Sequence, residues 1–236
     1  MGSDSTQPAL AFYLDAPMQA WGASSRFRHR KTESFPTKSG VLGLLAAALG
    51  IDKHSPDEAE QIAPLGKLKF SVFRIASADG TKRHPTLRLE DFHTVGGGYD
   101  SSDLREVLHI SRKASGGPST TVITHRTYLT DARFLAVLEG DAALLERCAA
   151  ALENPKWGVW FGRKCCLPAS PLAPIIGSSR KVALDQWMQH FAGASQTTEG
   201  EQQAQEPGSR FQNDQPVSYG ARTFRSRPVS RTGISI

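Results

Sequence analysis

The segment from Ala16 to Gly50 constrains the fold of this chain more than any other. It follows a short apolar strand and leads, through a loop rich in cations, into an apolar helix between Thr37 and Gly50. A hydroxyl side chain at the start of a helix and a glycine at its end are common caps. The cations are Arg26, Arg28, Arg30, Lys31 and Lys38, with Glu33 as the only acid of the segment. A basic loop before a helix N-terminus favours phosphate binding, so the segment indicates a polyanionic partner, with nucleic acid as the first candidate.

Apolar periodicity predicts a regular order of elements up to residue 161. The predicted strands are 10–14, 67–75, 120–128, 134–138 and 157–161, and the predicted helices are 37–49 and 141–153. Asp57 and Glu58 are expected in a loop. With most of 76–130 treated as an insertion, the order is β-α-β-β-α-β. This order predicts an α+β fold with a ferredoxin-like (RRM-like) palm spanning residues 9–176.

The insertion and the C-terminal residues do not follow this regular alternation of strands and helices. Residues 76–130 contain two glycine runs and scattered cations, which indicates an extended β-hairpin with a mobile tip. Residues 177–236 form a separate C-terminal segment. Within it, SQTTEGEQQAQE at 195–206 has hardly any apolar residue and is expected to be flexible. The basic residues after it alternate with Tyr219, Phe224 and Val229, a pattern typical of a segment that packs and presents arginines.

Composition excludes several classes of protein. The chain has 236 residues, 39% of them hydrophobic, and no apolar run long enough to cross a bilayer, so we expect no membrane contact. No secretory signal is recognisable, and three cysteines without a disulfide or zinc spacing are expected to be reduced thiols of a cytoplasmic protein. Motifs for nucleotide phosphates, dinucleotides, metals or an activated serine are not found. We therefore expect no cofactor and no metal.

Two readings remain open for the titratable residues of the hairpin. His93, His125, Tyr128 and Lys38 include the acid, base and cation that metal-independent RNA cleavage requires. The same residue types are common on a ribbon that faces nucleic acid without catalysis, and we favour this second reading. Trp21 is either a core aromatic or a base-stacking platform, and core packing is favoured.

Several blocks in one order resemble a known family. They are APMQAWG at 16–22, FPTKSGVLGLL at 35–45, LEDFHTV at 89–95, THRTYLTDA at 124–132, FGRKCCLP at 161–168 and SPL at 170–172. Together they resemble the CasD family of type I-E CRISPR Cascade subunits, the fifth Cas family within the RAMP superfamily. The resemblance covers roughly residues 10–176 and is much more specific than one short motif.

The resemblance implies a palm with a β-hairpin thumb, and an RNA-binding role without catalysis. Its implied partners are the 5′ handle of the CRISPR RNA, the backbone and large subunits of Cascade, and target DNA through the assembled complex. We assign phosphate contacts to Arg26, Arg28, Lys38, Ser39, Arg163 and Lys164, with close backbone approach at Gly162. Base or sugar contacts are assigned to Gln19, His93, Arg126 and Tyr128, and Trp21 completes the predicted RNA-binding set. The alternatives are a metal-independent endoribonuclease, for which a sister subtype of the family is a precedent, and a freestanding RRM-like protein.

Overall fold

The structure is a computed structural model that describes residues 7–22, 28–76, 87–95, 122–192, 196–203 and 210–232. Its strands are β1 (Ala9–Asp15), β2 (Met18–Gln19), β3 (His29–Arg30), β4 (Lys69–Ala76), β5 (Leu87–Val95), β6 (Val122–Thr130), β7 (Arg133–Glu139), β8 (Ile175–Gly177), β9 (Gln196–Gln203), β10 (Arg210–Ser218) and β11 (Thr223–Thr232). Its helices are α1 (Lys38–Leu49), α2 (Glu58–Lys67), α3 (Ala142–Glu153) and α4 (Arg180–Trp187), the last continued by a π-helical turn at Met188–Ala192. None of these helices is long and apolar enough to span a membrane.

The predicted caps of α1 are confirmed. The Thr37 hydroxyl accepts a hydrogen bond from the Gly40 N–H at 3.2 Å, and Gly50 ends the helix in the left-handed conformation at φ 75°. Glycine has no Cβ to oppose that conformation. The second helix predicted from the sequence is also confirmed, because α3 begins after Asp141, whose carboxylate accepts from the Leu144 N–H.

A seven-stranded antiparallel sheet forms the centre of the molecule, in the order β10-β11-β9-β4-β7-β1-β8. Strand β1, which lies between β7 and the edge strand β8, is buried on both sides. Leu10, Phe12 and Leu14 belong to one core, with α1, α2 and α3. Ala9 and Ala11 belong to a second core on the other face, under α4. A strand that is covered on both faces typically has a continuous run of apolar residues in its sequence, and β1 has such a run.

Two predictions for the first 176 residues are wrong. Residues 157–161 are irregular, because the Phe161 N–H bonds to the Cys166 carbonyl and its own carbonyl accepts from the Ala20 N–H. The strand that pairs with β1 on that side is β8 instead. The second error is α2, which starts at Glu58 where a loop was expected and which contains Pro64. Its polar composition conceals it, although Ile62 and Leu65 are spaced to share its buried side.

The expectation of a flexible segment at 195–206 is also corrected. Residues Gln196–Gln203 form β9, which pairs with β4 on one side and β11 on the other. The neighbouring strands supply the backbone hydrogen bonds, and Arg231 forms an ion pair of 3.0 Å with the buried Glu201. Residues 195 and 204–206 lie outside the described part of the chain.

The predicted hairpin is present as β5 and β6, which pair in unbroken antiparallel register from Leu87↔Thr130 to Val95↔Val122. Its tip at 96–121 lies outside the described residues. The other edge of β6 carries β2 and β3, so a second, four-stranded sheet forms beside the first.

Candidate nucleic-acid interface

A cleft of about 550 Å³ opens where the basic loop, the start of α1, the 157–166 turn and the β10–β11 hairpin meet. Four glycines line it: Gly22, Gly40, Gly43 and Gly162. Its cations are Arg30, Lys31, Lys53 and Arg163, and its aromatic rings are Trp21, Trp160, Tyr219 and Phe224. In the part of the chain that the structure describes, no aspartate or glutamate lines it. A cationic cleft with exposed backbone and aromatic walls fits single-stranded nucleic acid.

The phosphate site expected at the N-terminus of α1 is already occupied by protein. The Lys38 N–H donates to the Asp214 carboxylate at 2.7 Å, and the Gly40 N–H donates to Thr37. Asp214 comes from β10 and is itself held by Arg227 at 2.7 Å. A carboxylate at this position satisfies the helix terminus as a phosphate would.

Lys38 is buried rather than exposed to a ligand. Its Nζ donates to the Gly66 carbonyl at 2.8 Å, and its side chain lies inside the protein. Burial and, to a smaller extent, the charge of Arg227 lower the pKa of Lys38 to about 8, and Asp214 opposes the shift. We therefore leave Lys38 out of the interface. Ser39, the next residue, does line the cleft, and its carbonyl accepts from the Tyr219 hydroxyl at 2.6 Å.

Gln19 and Trp21 form an internal network, which confirms the core reading of Trp21. Trp21 is fully buried and stacks on Phe161 with ring centroids 5.9 Å apart. Its Nε1–H donates to Gln19 Oε1 at 2.9 Å. The Gln19 amide donates to the carbonyls of Leu14 and Ala132. Because all its groups are engaged and it is fully buried, we also leave Gln19 out of the contact set.

The turn at 162–166 shapes one edge of the cleft. Gly162 has φ 92°, and a Cβ there would lie 1.7 Å from the Ala20 carbonyl oxygen. Arg163 donates to the Arg30 carbonyl at 2.7 Å and the Thr127 carbonyl at 3.0 Å. Arg163 also lies over the Tyr128 ring, with Cζ 4.4 Å from its centroid. Tyr128 is consequently buried, whereas Lys164 is exposed beside Trp160.

The hairpin separates its polar residues onto two faces. His29 and His125 stack with centroids 5.1 Å apart, and Phe92 meets His125 edge-on at 5.3 Å. His93 lies opposite Thr124 in register and so faces the other side of the sheet. Arg126 lies on that side too and donates to the Thr124 hydroxyl at 3.1 Å.

The four residues of the nuclease alternative do not converge. His125 and Tyr128 are three residues apart on β6 and face opposite sides of it. His93 shares a face with Tyr128, but their positions differ by four residues along the strand, about 13 Å. Lys38 is buried at the start of α1. The described residues also contain no cluster of three side chains suited to a metal ion.

Arg28 and Arg26 complete the predicted set. Arg28 is exposed, and its carbonyl accepts from the His125 N–H at 2.8 Å. Arg26 lies outside the described residues.

Sequence reasoning missed four residues that line the cleft: Lys53, Trp160, Tyr219 and Phe224. A sequence signal existed only for Tyr219 and Phe224, which alternate with arginines. Their position beside α1 could not be predicted, because it depends on the β10–β11 hairpin.

Known proteins match this fold and sequence over most of the chain. Residues 9–230 match the family model described as CRISPR-associated protein (Cas_Cas5). "CRISPR system Cascade subunit CasD" of Escherichia coli (strain K12) is 31% identical over 167 residues, which are 69% of this chain and 68% of that protein. A solved structure described as "Crystal structure of Cas protein" aligns with a TM-score of 0.65 and 28% identity, covering 95% of this chain and 94% of that one. A chain of a "CRISPR RNA-guided surveillance complex" aligns with a TM-score of 0.67 and 27% identity, covering 95% and 89%. The chain therefore belongs to the Cas5 family of CRISPR-associated proteins, and the family resemblance of its sequence blocks is confirmed.

Proposed function

We propose that this chain is a non-catalytic RNA-binding subunit of a type I-E surveillance complex that holds the 5′ handle of the CRISPR RNA. The observation that carries the proposal is the cleft, because it combines four cations with aromatic walls and no acid is among the described residues that line it. The relative from Escherichia coli is described as a Cascade subunit, and one structural neighbour belongs to an RNA-guided complex. We extend the proposal to contacts with the backbone and large subunits, to target DNA through the complex, and to the cytoplasm as the site of action.

The architecture supports a division into palm and thumb. Strands β4-β7-β1-β8 are neighbours in that order, and α1 and α3 both pack into the core on one face of them. This is the strand order of a ferredoxin-like palm, with α2 and the hairpin inserted. The β5–β6 hairpin serves as the thumb, and its His29–His125 stack and exposed Phe92 offer flat surfaces to bases.

In this proposal, different residues of the cleft contact the phosphates and the bases of the RNA. Arg30, Lys31 and Lys53 are exposed and line the cleft, so they can reach phosphates bound there. Arg163 has two of its donors engaged with carbonyls, so its role is to hold the cleft edge and to add positive potential. The half-buried Trp160 and Phe224 are placed for stacking with an unpaired base.

The test is a filter-binding titration of labelled repeat RNA at several salt concentrations. Arg30→Ala, Lys31→Ala and Lys53→Ala should each weaken binding and reduce the slope of log K against log salt by about 0.7, the value for one contact to a single strand. Lys69→Ala is the matched control, because Lys69 is an exposed cation outside the cleft. Equal slopes for all four variants would overturn the assignment of the cleft.

A denaturing gel of the same RNA in EDTA tests the nuclease alternative. We expect intact RNA, because the candidate acid, base and cation do not converge on one point. A discrete cut that is lost in His93→Ala or His125→Ala would replace the binding role with a processing one.

A further inference from the structure

Two adjacent thiols lie on the turn that bounds the cleft. Cys165 is exposed, and its Sγ is 3.7 Å from the Tyr128 hydroxyl. Cys166, the next residue in the chain, is buried. The RNA contacts proposed above use neither of them. Cys148, the third thiol, is buried inside α3, remote in sequence from the pair.

The surroundings give the two thiols different roles. Cys165 is reachable from solvent, whereas Cys166 is 1% exposed. Burial raises the pKa of Cys166 to about 11, and the neighbouring Cys165 contributes to the increase. Cys166 is therefore a protonated thiol at neutral pH, held beside the sulfur that meets an oxidant first.

We propose that Cys165 and Cys166 form a site of reversible oxidation by peroxides, with Cys165 as the reacting thiol and Cys166 as the resolving thiol. In the first step the Cys165 sulfur attacks one oxygen of hydrogen peroxide and the O–O bond breaks. The leaving hydroxide takes up the thiol proton as water, and Cys165 becomes a sulfenic acid. In the second step the Cys166 sulfur attacks the Cys165 sulfur, an S–S bond replaces the S–O bond, and a second water leaves with the Cys166 proton. Two electrons pass from the two thiols to the peroxide.

Ring closure changes the edge of the cleft. The reduced turn is held by hydrogen bonds from the Cys166 N–H to the Arg163 carbonyl and from the Phe161 N–H to the Cys166 carbonyl, both 2.8 Å. A disulfide between adjacent residues forms a small ring that includes their peptide bond. The backbone conformation that this ring requires is incompatible with the two hydrogen bonds of the reduced turn. It also removes the Cys165 contact with Tyr128, the ring that supports Arg163. The further expectation that the oxidised chain binds RNA several-fold more weakly rests on the proposed function.

The experiment treats the full-length chain with hydrogen peroxide, alkylates the remaining thiols under denaturing conditions and measures the mass of the chain and its peptides. We expect the peptide with Cys165 and Cys166 to lose about 2 Da and to resist alkylation until dithiothreitol is added. Cys148→Ser should behave as the wild type. Cys166→Ala should stop at a sulfenic acid that dimedone traps. The wild-type mass decides the proposal even if Cys166→Ala does not fold.

Each outcome decides one claim. Free alkylation of both thiols after peroxide, a trapped sulfenic acid in the wild type, or a disulfide between two chains would overturn the proposed site. RNA titrations of the reduced and oxidised chain then test the coupling, which equal affinities would overturn. Failure of the reduced chain to bind RNA would contradict the proposed function, while the mass measurement would still decide the oxidation site.

Discussion

Gly162 is the residue at which the main chain and the cleft impose the strictest local requirement. Its φ of 92° is unfavourable for any side chain, and a Cβ would overlap the Ala20 carbonyl. Gly162→Ala should lower the free energy of unfolding by about 2–4 kcal/mol, measured by urea denaturation. Gly158→Ala is the control, because its Cβ would meet only the Trp160 side chain, at 3.3 Å. Equal urea midpoints for the two variants would contradict this account of the turn.

Lys38 makes stability depend on pH in a defined direction. Its pKa is about 8 in the folded chain and returns to about 10.5 on unfolding, so the unfolded chain binds more protons between these values. Stability contributed by this residue therefore rises as pH increases from 8 to 10.5. Compared with Lys38→Met, the wild type should gain stability across this window, which urea midpoints at a series of pH values measure. A constant difference between the two proteins would show that Lys38 keeps its ordinary pKa in the fold.

The candidate site could be predicted in part from single residues. Its cationic loop was visible because Arg28, Arg30 and Lys31 stand close together in the sequence. The burial of Lys38 could not be predicted, because it depends on Asp214 and Gly66, which are distant in the chain. A lysine before a helix looks the same whether its partner is a phosphate or a carbonyl of the same protein.

At the scale of elements, a helix or strand could be predicted from the sequence where it carries its own caps or its own apolar pattern. Helices α1 and α3 have both, and β1, β4 and β7 have apolar runs or alternation. Strand β9 has neither, because its position between β4 and β11 is determined by its neighbours. Propensity is overridden in such a case by pairing with existing strands.

Hydrogen exchange tests the position of β9. Because the strand pairs on both sides, its amides from Gly200 to Gln202 should exchange as slowly as those of the paired stretch of β4. Mass spectrometry of peptides that cover Gln196–Gln203 measures this. Complete exchange within seconds under native conditions would restore the flexible segment that composition alone indicated.

At the scale of the whole molecule, the seven-stranded sheet joins the region of residues 9–176 to the C-terminal segment. Strands β9, β10 and β11 extend the sheet that β1, β4, β7 and β8 begin. Each face of the sheet has its own core, with Trp21 in one and Trp187 in the other. One shared sheet between two cores favours cooperative unfolding.

Urea unfolding should therefore show a single transition. Fluorescence of a Trp21→Phe variant and of a Trp187→Phe variant reports on the remaining tryptophans, and far-ultraviolet circular dichroism reports on the strands. Each variant's fluorescence transition should coincide with its own circular dichroism transition. Two resolved midpoints in either variant would indicate that the C-terminal segment unfolds independently.

The bond between Lys38 and Asp214 also has a consequence for biosynthesis. The two residues are 176 positions apart, and a ribosome adding about 5–20 residues per second needs about 10 to 35 seconds to synthesise the second after the first. During that time the first helix has no carboxylate at its N-terminus, and the lysine that it later buries stays in water. A premature stop before codon 214 removes more than a tail, since it leaves the opening helix of the protein incomplete. The N-terminus of this helix is therefore completed only after residue 214 has been synthesised, and shorter products expose an unfinished core to cellular proteases.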